Sequence, residues 1–326
     1  MGLEGGVLRV GTRGSRLALW QADHVAERLR EAHPGLVVER VVITTAGDRV
    51  VDVALSRVGD KGLFTRELEE ALQEGRIDIA VHSLKDLPTE MPEGLSLGAV
   101  LEREDPRDAL VGPVSGGLDG LSRGARVGTS SLRRRAQLLA RRPDLRVVDL
   151  RGNVPTRLAK RERGECDATV LALAGLRRLG LEHAAAAVLE PDVLLPAAGQ
   201  GAVAVQSRQG DARVGRSLDR IDHAPTRLAV AAERGLLARL EGGCQVPVGA
   251  LATPAPGGLR LHGLVAQVDG SVLVRGVLED AVADEAAARA LGERLAARLL
   301  ANGAGEILAR VRVAVAEGTV PVWGEA

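Results

Sequence analysis

Apolar positions over the first hundred residues switch between two periods. Leu8 to Gly11 is a short apolar run, Ser15 to Glu31 carries Ala18, Ala22, Val25 and Leu29 at helical spacing, and Leu36 to Ile43 is extended and Val-rich. An extended run, a helical stretch and a second extended run predict a βαβ unit with a parallel sheet. A second helix is expected from Thr65 to Glu74, stopped by Gly75, and it leads into Ile77 to Val81. That last run is apolar without alternation, as in strands buried on both faces.

The same order returns between Arg126 and Leu173. Arg9-Val10-Gly11-Thr12 is repeated as Arg126-Val127-Gly128-Thr129, and Pro34-Gly35-Leu36 is echoed by Pro143-Asp144-Leu145 before Val147-Val148. Thr65-Arg66, Gly75, Asp78 and Val81 are matched by Thr156-Arg157, Gly164, Asp167 and Val170. A duplicated architecture of two similar α/β lobes is expected, with chain crossings near Glu104-Asp105-Pro106 and in the turn-rich stretch Pro196 to Gly201. Residues 1–104 and 200–219 form the first expected lobe, into which Ala202 to Gln206 returns as a strand, and 105–199 form the second. Residues 220–326 change texture. A helix from Ala224 to Leu240 precedes the loop Glu241-Gly242-Gly243-Cys244; Leu259 to Val265 and Val272 to Val277 flank the hairpin signal Asp269-Gly270; and a helix from Asp284 to Leu300 stops at Asn302-Gly303. A small α+β third domain is expected. In open α/β sheets ligands gather at the carboxyl ends of the strands, so the polar loops that follow them predict a cleft shared by the lobes.

A length of 326 residues suits several domains, and 45% apolar with 26% charged residues excludes disorder. Forty-three basic residues balance forty-three acidic ones, which argues against a globally polybasic nucleic-acid or membrane-surface protein. The balance hides a local excess: Arg123 to Arg163 holds thirteen basic and three acidic residues, a net of +10. Arg141, Arg142, Arg161 and Arg163 read as solvated helix faces. Arg133, Arg134, Arg151 and Arg157 adjoin helix starts, where free N–H groups and the helix dipole already favour anions, and Gly128-Thr129-Ser130-Ser131 adds hydroxyl donors. Arg13 and Ser15 make the equivalent site in the first lobe. Guanidinium forks suit a ligand with several carboxylates or phosphates. Nucleic acid is the rival polyanion, but the segment holds no aromatic residue for base stacking. A transport or sensor protein would bind an anion without turnover, but it would not need a Gly-Gly-Cys loop.

Val81 to Pro88 places His82, Lys85 and Asp86 just past a strand end, where an acid is well placed for catalysis. Lys85 and Asp86 also fit an exposed turn pair, and His82 is expected to satisfy a backbone carbonyl. Six scattered His and two distant Cys give no metal-ligand spacing. Cys166 opens a strand and reads as a core thiol, whereas Cys244 lies in a glycine loop that brings its sulfur within reach of another molecule. No signal-peptide pattern precedes Val10 and no apolar stretch has the length to cross a bilayer, so a cytoplasmic protein without a membrane partner is expected.

These motifs together resemble the porphobilinogen deaminase (hydroxymethylbilane synthase) family. The resemblance runs from Leu8 to about Val311 and rests on Gly11-Thr12-Arg13-Gly14-Ser15, Lys61-Gly62-Leu63-Phe64, His82-Ser83-Leu84-Lys85-Asp86, Glu102 to Asp108, Gly128 to Arg134, Leu150-Arg151-Gly152-Asn153-Val154, Pro196 to Gly201 and Glu241 to Pro247. It implies two hinged lobes of the type II periplasmic-binding-protein kind and a small α+β C-terminal domain. It further implies stepwise condensation of porphobilinogen, with loss of ammonia, on a dipyrromethane cofactor that is made from the substrate and held by Cys244 as a thioether. By the same resemblance Asp86 is catalytic, stabilising the positive charge left when ammonia departs; Lys85, Ser131, Arg133 and Arg134 hold the cofactor; and Arg13, Ser15, Phe64, Thr129, Arg151, Arg157 and Gln200 bind substrate. Lys61 ends a lid that begins at Asp48. A monomer without metal or nucleic acid is implied, with its product passing to a uroporphyrinogen-III synthase. Arg16, Asp60 and Arg135 depart from the family pattern without touching this chemistry.

Overall fold

The computed structural model of the protein describes residues 7–49, 64–240 and 246–317. Lys61, Cys244 and the expected lid beyond Arg49 lie outside the described residues. The chain forms two compact units, which comprise, among those residues, 7–49, 64–104 and 201–227 in one, and 105–200, 228–240 and 246–317 in the other.

The first unit begins β1 (Val7–Thr12), α1 (Arg16–Ala32), β2 (Val37–Val42), α2 (Ala46–Arg49), α3 (Arg66–Gln73), β3 (Ile79–Ser83) and β4 (Leu95–Val100), and ends with β10 (Val203–Arg208) and α7 (Ala212–Leu218). Its sheet has the order β2-β1-β3-β10-β4, with β1 parallel to β2 and β3 and with β10 antiparallel to both its neighbours. Ile79 and Val81 join Leu8, Val10, Val25 and Leu29 in a core on one face. Ala80 joins Leu68, Leu72 and Ile77 on the other, which is why the sequence of β3 does not alternate.

In the second unit β5 (Asp108–Val111), β6 (Arg126–Gly128), α4 (Leu132–Arg141), β7 (Arg146–Val148), α5 (Val154–Glu162), β8 (Ala168–Ala172), α6 (Leu173–Arg178) and β9 (Ala185–Leu189) give the order β7-β6-β8-β5-β9. This repeats the first sheet with β5 in the place of β10. In each lobe the antiparallel strand, β10 or β5, is the one that follows a chain crossing. The third domain is an antiparallel meander of β11 (Val248–Ala255), β12 (Gly258–Ala266) and β13 (Leu273–Asp280) with α8 (Ala224–Arg239), α9 (Glu285–Leu299) and α10 (Gly305–Ala316). It shares a compact unit with the second lobe. The turn between β12 and β13 presses on α4 at Gly270, where φ is +77° and a Cβ would run into the backbone of Leu139 and Ala140. Among the described residues no helix is long and apolar enough to cross a membrane.

Three elements differ from the sequence pattern. Helix α5 starts at Val154 rather than Thr156, because the Asn153 side chain caps it by accepting the Thr156 N–H at 3.0 Å. The Asp269-Gly270 connection spans 267–272, one residue further along than the gap between the expected strands, and Asp269 Oδ1 accepts the Ser271 N–H at 2.9 Å within it. The helix from Asp284 does stop at Asn302-Gly303, with Gly303 at φ +97°, but α10 follows at once.

The duplication extends to hydrogen bonds. In the first lobe the Arg9 N–H donates to Asp78 Oδ2 at 2.8 Å and the Asp78 N–H to Arg9 O at 2.9 Å. In the second, the Arg126 N–H donates to Asp167 Oδ2 at 2.7 Å and the Asp167 N–H to Arg126 O at 2.9 Å. Each aspartate also pairs with its arginine's guanidinium. The settings differ: the Asp78 side chain is 3% exposed and lies near Arg208 and Arg213 as well, whereas Asp167 is 48% exposed. Burial opposes ionisation of Asp78, yet its hydrogen bonds from Arg9 hold its carboxyl below the usual range. A depressed folded pKa means that its stabilisation is complete above the unfolded value of about 3.9 and is lost as pH falls through the lower folded value. Asp78→Asn should cost about 3 kcal/mol at neutral pH, as a broken buried pair does, and Asp167→Asn less than about 1 kcal/mol. Urea denaturation of the two variants checks this, and equal losses would contradict it.

Candidate active site

In the first unit, β1 ends at Gly11-Thr12 and the chain turns through Arg13 to Ser15 before entering α1. The Ser15 hydroxyl caps that helix by accepting the Ala18 N–H at 3.3 Å, and the Thr12 hydroxyl donates to Ala18 O at 3.0 Å. Arg13 lies over Phe64, its guanidinium carbon 4.3 Å from the ring centroid, a cation–π contact that orients the charge. From the neighbouring strand, β3, the chain runs through His82 and Ser83 into a single 3-10 turn, Leu84–Asp86. Arg13, Ser15, Phe64, His82 and Asp86 line one open concavity. Lys85 is half-buried in the same turn but does not line it.

His82 does not act as expected. No backbone carbonyl accepts from it among the described residues, and its buried Nε2 has no hydrogen-bond partner there. Burial, with a smaller contribution from the positive charge of Arg13, outweighs the favourable side chain of Gln206 and lowers its pKa to about 4, so the ring is neutral at physiological pH. Gln21 was missed by the motif analysis. Its Nε2 donates to Ser83 Oγ at 2.9 Å, tying α1 to the end of β3, and the available signal was a polar residue on the apolar face of α1.

The second unit carries the other predicted residues. Ser131 caps α4 by accepting the Arg134 N–H at 3.4 Å, and Thr129 Oγ1 accepts the Ser131 N–H at 3.2 Å. Arg133 and Arg134 follow in the first turn, but they point inward and are 5% exposed. Arg133 Nη1 donates to Asp108 Oδ2 at 3.0 Å and to Leu195 O at 2.7 Å; Arg134 donates to Asp108 Oδ1 at 2.7 Å and to Val170 O at 2.9 Å. Gln200 Nε2 reaches the same carboxylate at 2.9 Å. Asp108 was assigned no chemistry from sequence, although it ends the motif Glu102 to Asp108. Arg157 Nε donates to Gly152 O at 2.7 Å at the start of α5, near Arg151, whose buried Nη1 has no hydrogen-bond partner among the described residues. Arg142 departs from the solvated expectation: it pairs with Asp144 and donates to Leu118 O at 2.6 Å and Leu121 O at 3.0 Å.

Residues 8–216 match the family described as porphobilinogen deaminase, dipyromethane cofactor binding domain, and residues 227–301 match the porphobilinogen deaminase C-terminal domain. The porphobilinogen deaminase of Pelotomaculum thermopropionicum is 56% identical over 305 residues, covering 94% of this chain and 97% of that protein. That of Moorella thermoacetica is 53% identical over 305 residues, covering 94% and 96%. Among solved structures, the periplasmic aliphatic sulphonate binding protein SsuA from Escherichia coli aligns over 72% of this chain and 70% of its own, with a TM-score of 0.39 and 18% identity. With both domains matched in order and more than half of all positions identical over nearly the full length, the chain belongs to the porphobilinogen deaminase family.

Proposed function

We propose that the protein is a hydroxymethylbilane synthase that condenses four porphobilinogen molecules head to tail, releases one ammonia per addition, and frees the finished chain by hydrolysis. The observation that carries the assignments in the first unit is the concavity that gathers Arg13, Ser15, Phe64 and Asp86. Cys244 holds the dipyrromethane cofactor as a thioether, and Ser131, Arg133, Arg134 and Lys85 hold its acetate and propionate groups. The donor set fits such a group: Arg134 Nε and Arg151 Nη1 are buried N–H donors without partners among the described residues, and one carboxylate, Asp108, faces two guanidiniums. When bound, the cofactor supplies the carbon nucleophile from which the chain is extended.

The protein's own residues then divide the work. Arg13, with Ser15 at the helix N-terminus, receives substrate carboxylates, and the ring of Phe64 keeps the guanidinium in place. Thr129, Arg151 and Arg157 bind further carboxylates as the product grows; Gln200, expected to do the same, is fully buried and donates its amide hydrogens to Pro106 O and Asp108 Oδ1, which leaves it no donor for a ligand. As the C–N bond of the aminomethyl group breaks and its electron pair leaves with ammonia, positive charge builds on the pyrrole. Asp86 stabilises that charge through the pyrrole N–H and then takes up the ring proton lost when the new C–C bond forms. His82 stays neutral. Lys61 closes a lid over the reaction. The enzyme works in the cytoplasm as a monomer and passes its product to a uroporphyrinogen-III synthase.

Purified protein supplied with porphobilinogen should release ammonia in step with substrate loss. Asp86→Asn should lower kcat by about a hundredfold or more, whereas Arg13→Leu should act mainly by raising KM; undiminished kcat in Asp86→Asn would refute the catalytic assignment. The imidazole of His82, followed by NMR, should titrate near pH 4, and a midpoint near 6.5 would show that it is not held neutral by burial.

A further inference from the structure

We propose that Asp108 is the positioning residue of the cofactor site, a buried carboxylate that sets the spread and direction of Arg133 and Arg134 and keys both to Gln200. The inference rests on the cofactor role proposed for those arginines.

Asp108 is the first residue of β5, just after the first crossing of the chain, and has no solvent exposure. Gln200 is the last residue of the second unit before the chain returns. Three side chains from two further segments converge on this carboxylate, Arg133 at 3.0 Å, Arg134 at 2.7 Å and Gln200 at 2.9 Å. Each guanidinium is also held at another N–H, Arg133 by Leu195 O and Arg134 by Val170 O. Adjacent buried cations repel, and a carboxylate shared between them offsets that repulsion at a fixed separation. Two guanidiniums share this one carboxylate, and Arg134 Nε has no hydrogen-bond partner among the described residues. The pair is therefore preset for one more carboxylate, without rearrangement when the ligand arrives.

Asp108 touches neither cofactor nor substrate in this arrangement and acts through the arginines. A purely structural carboxylate would affect melting without affecting ligand loading. A suitable control is Asp144, which pairs with Arg142 at the other end of α4 at 2.7 Å.

The experiment uses the full chain as purified from cells, and reads the fraction carrying the dipyrromethane mass increment together with the thermal midpoint. Asp108→Asn is expected to lower the loaded fraction about tenfold. Asp108→Glu keeps the charge but moves it by one methylene, and should lower loading several-fold and raise the porphobilinogen KM of the loaded molecules about tenfold with kcat changed less than about threefold. Asp144→Asn should load as the wild type. Wild-type loading and KM in folded Asp108→Asn and Asp108→Glu would overturn the proposal. Failure of both variants to fold would do so too, since it would assign Asp108 to stability alone. Absence of the increment from the wild type would instead refute the cofactor reading itself.

Discussion

Two guanidiniums packed around one carboxylate determine how the second lobe is built. Arg133 and Arg134 reach back from the first turn of α4 to Asp108 at the start of β5, and onward to the carbonyls of Leu195 and Val170. Helix, central strand and crossing segment are fixed by one polar cluster. Removing two cations from water is costly, and shared hydrogen bonds offset the cost only where every element keeps its place. The cluster also engages part of the segment's net charge of +10 inside the lobe. Arg126 and Arg142 are engaged with Asp167 and Asp144, and Arg133 and Arg134 face inward, so much of the excess holds the lobe together.

The two lobes repeat one scaffold but differ at their strand ends. Ser15 and Ser131 cap equivalent helices, and Asp78 and Asp167 brace equivalent strands. Where the first lobe presents Arg13 over Phe64 beside the Asp86 turn, the second presents small hydroxyls and buried arginines. One copy of the fold thus places the carboxylate of Asp86 on a concavity, and the other gathers two guanidiniums on the one carboxylate of Asp108. Chemistry on a substrate that carries several carboxylates, and that becomes cationic as it reacts, needs both kinds of site.

Much of this was legible in the sequence because periodicity and local turn chemistry are short-range properties. Helix α1 follows from the spacing of Ala18, Ala22, Val25 and Leu29, and the doubling from Arg9 to Thr12 and Arg126 to Thr129. Strand β11 was not foreseen: Pro254 and small residues hide its alternation, and its burial comes from α8 and α9 against Val248, Ala250 and Ala252 and from Ala136 and Leu195 against Leu251, all outside the strand itself. The partners of Arg133 and Arg134 were equally out of reach. Their helix position was readable, but their burial depends on Asp108, distant in sequence, and nothing local separates an inward arginine from a solvated one. His82 shows the same limit, since a lone histidine at a strand end gives no sign of whether its ring nitrogen finds an acceptor.

The central claim is that a covalently held polycarboxylate at Cys244 is the platform for the chemistry, and intact mass of the denatured protein tests it most directly. Active wild-type protein and Cys166→Ser, which alters only a buried thiol beside Gly128, should carry an increment equal to a dipyrromethane, and Cys244→Ser should carry none. A bare polypeptide mass in fully active protein, or an increment that survives in Cys244→Ser, would contradict the account.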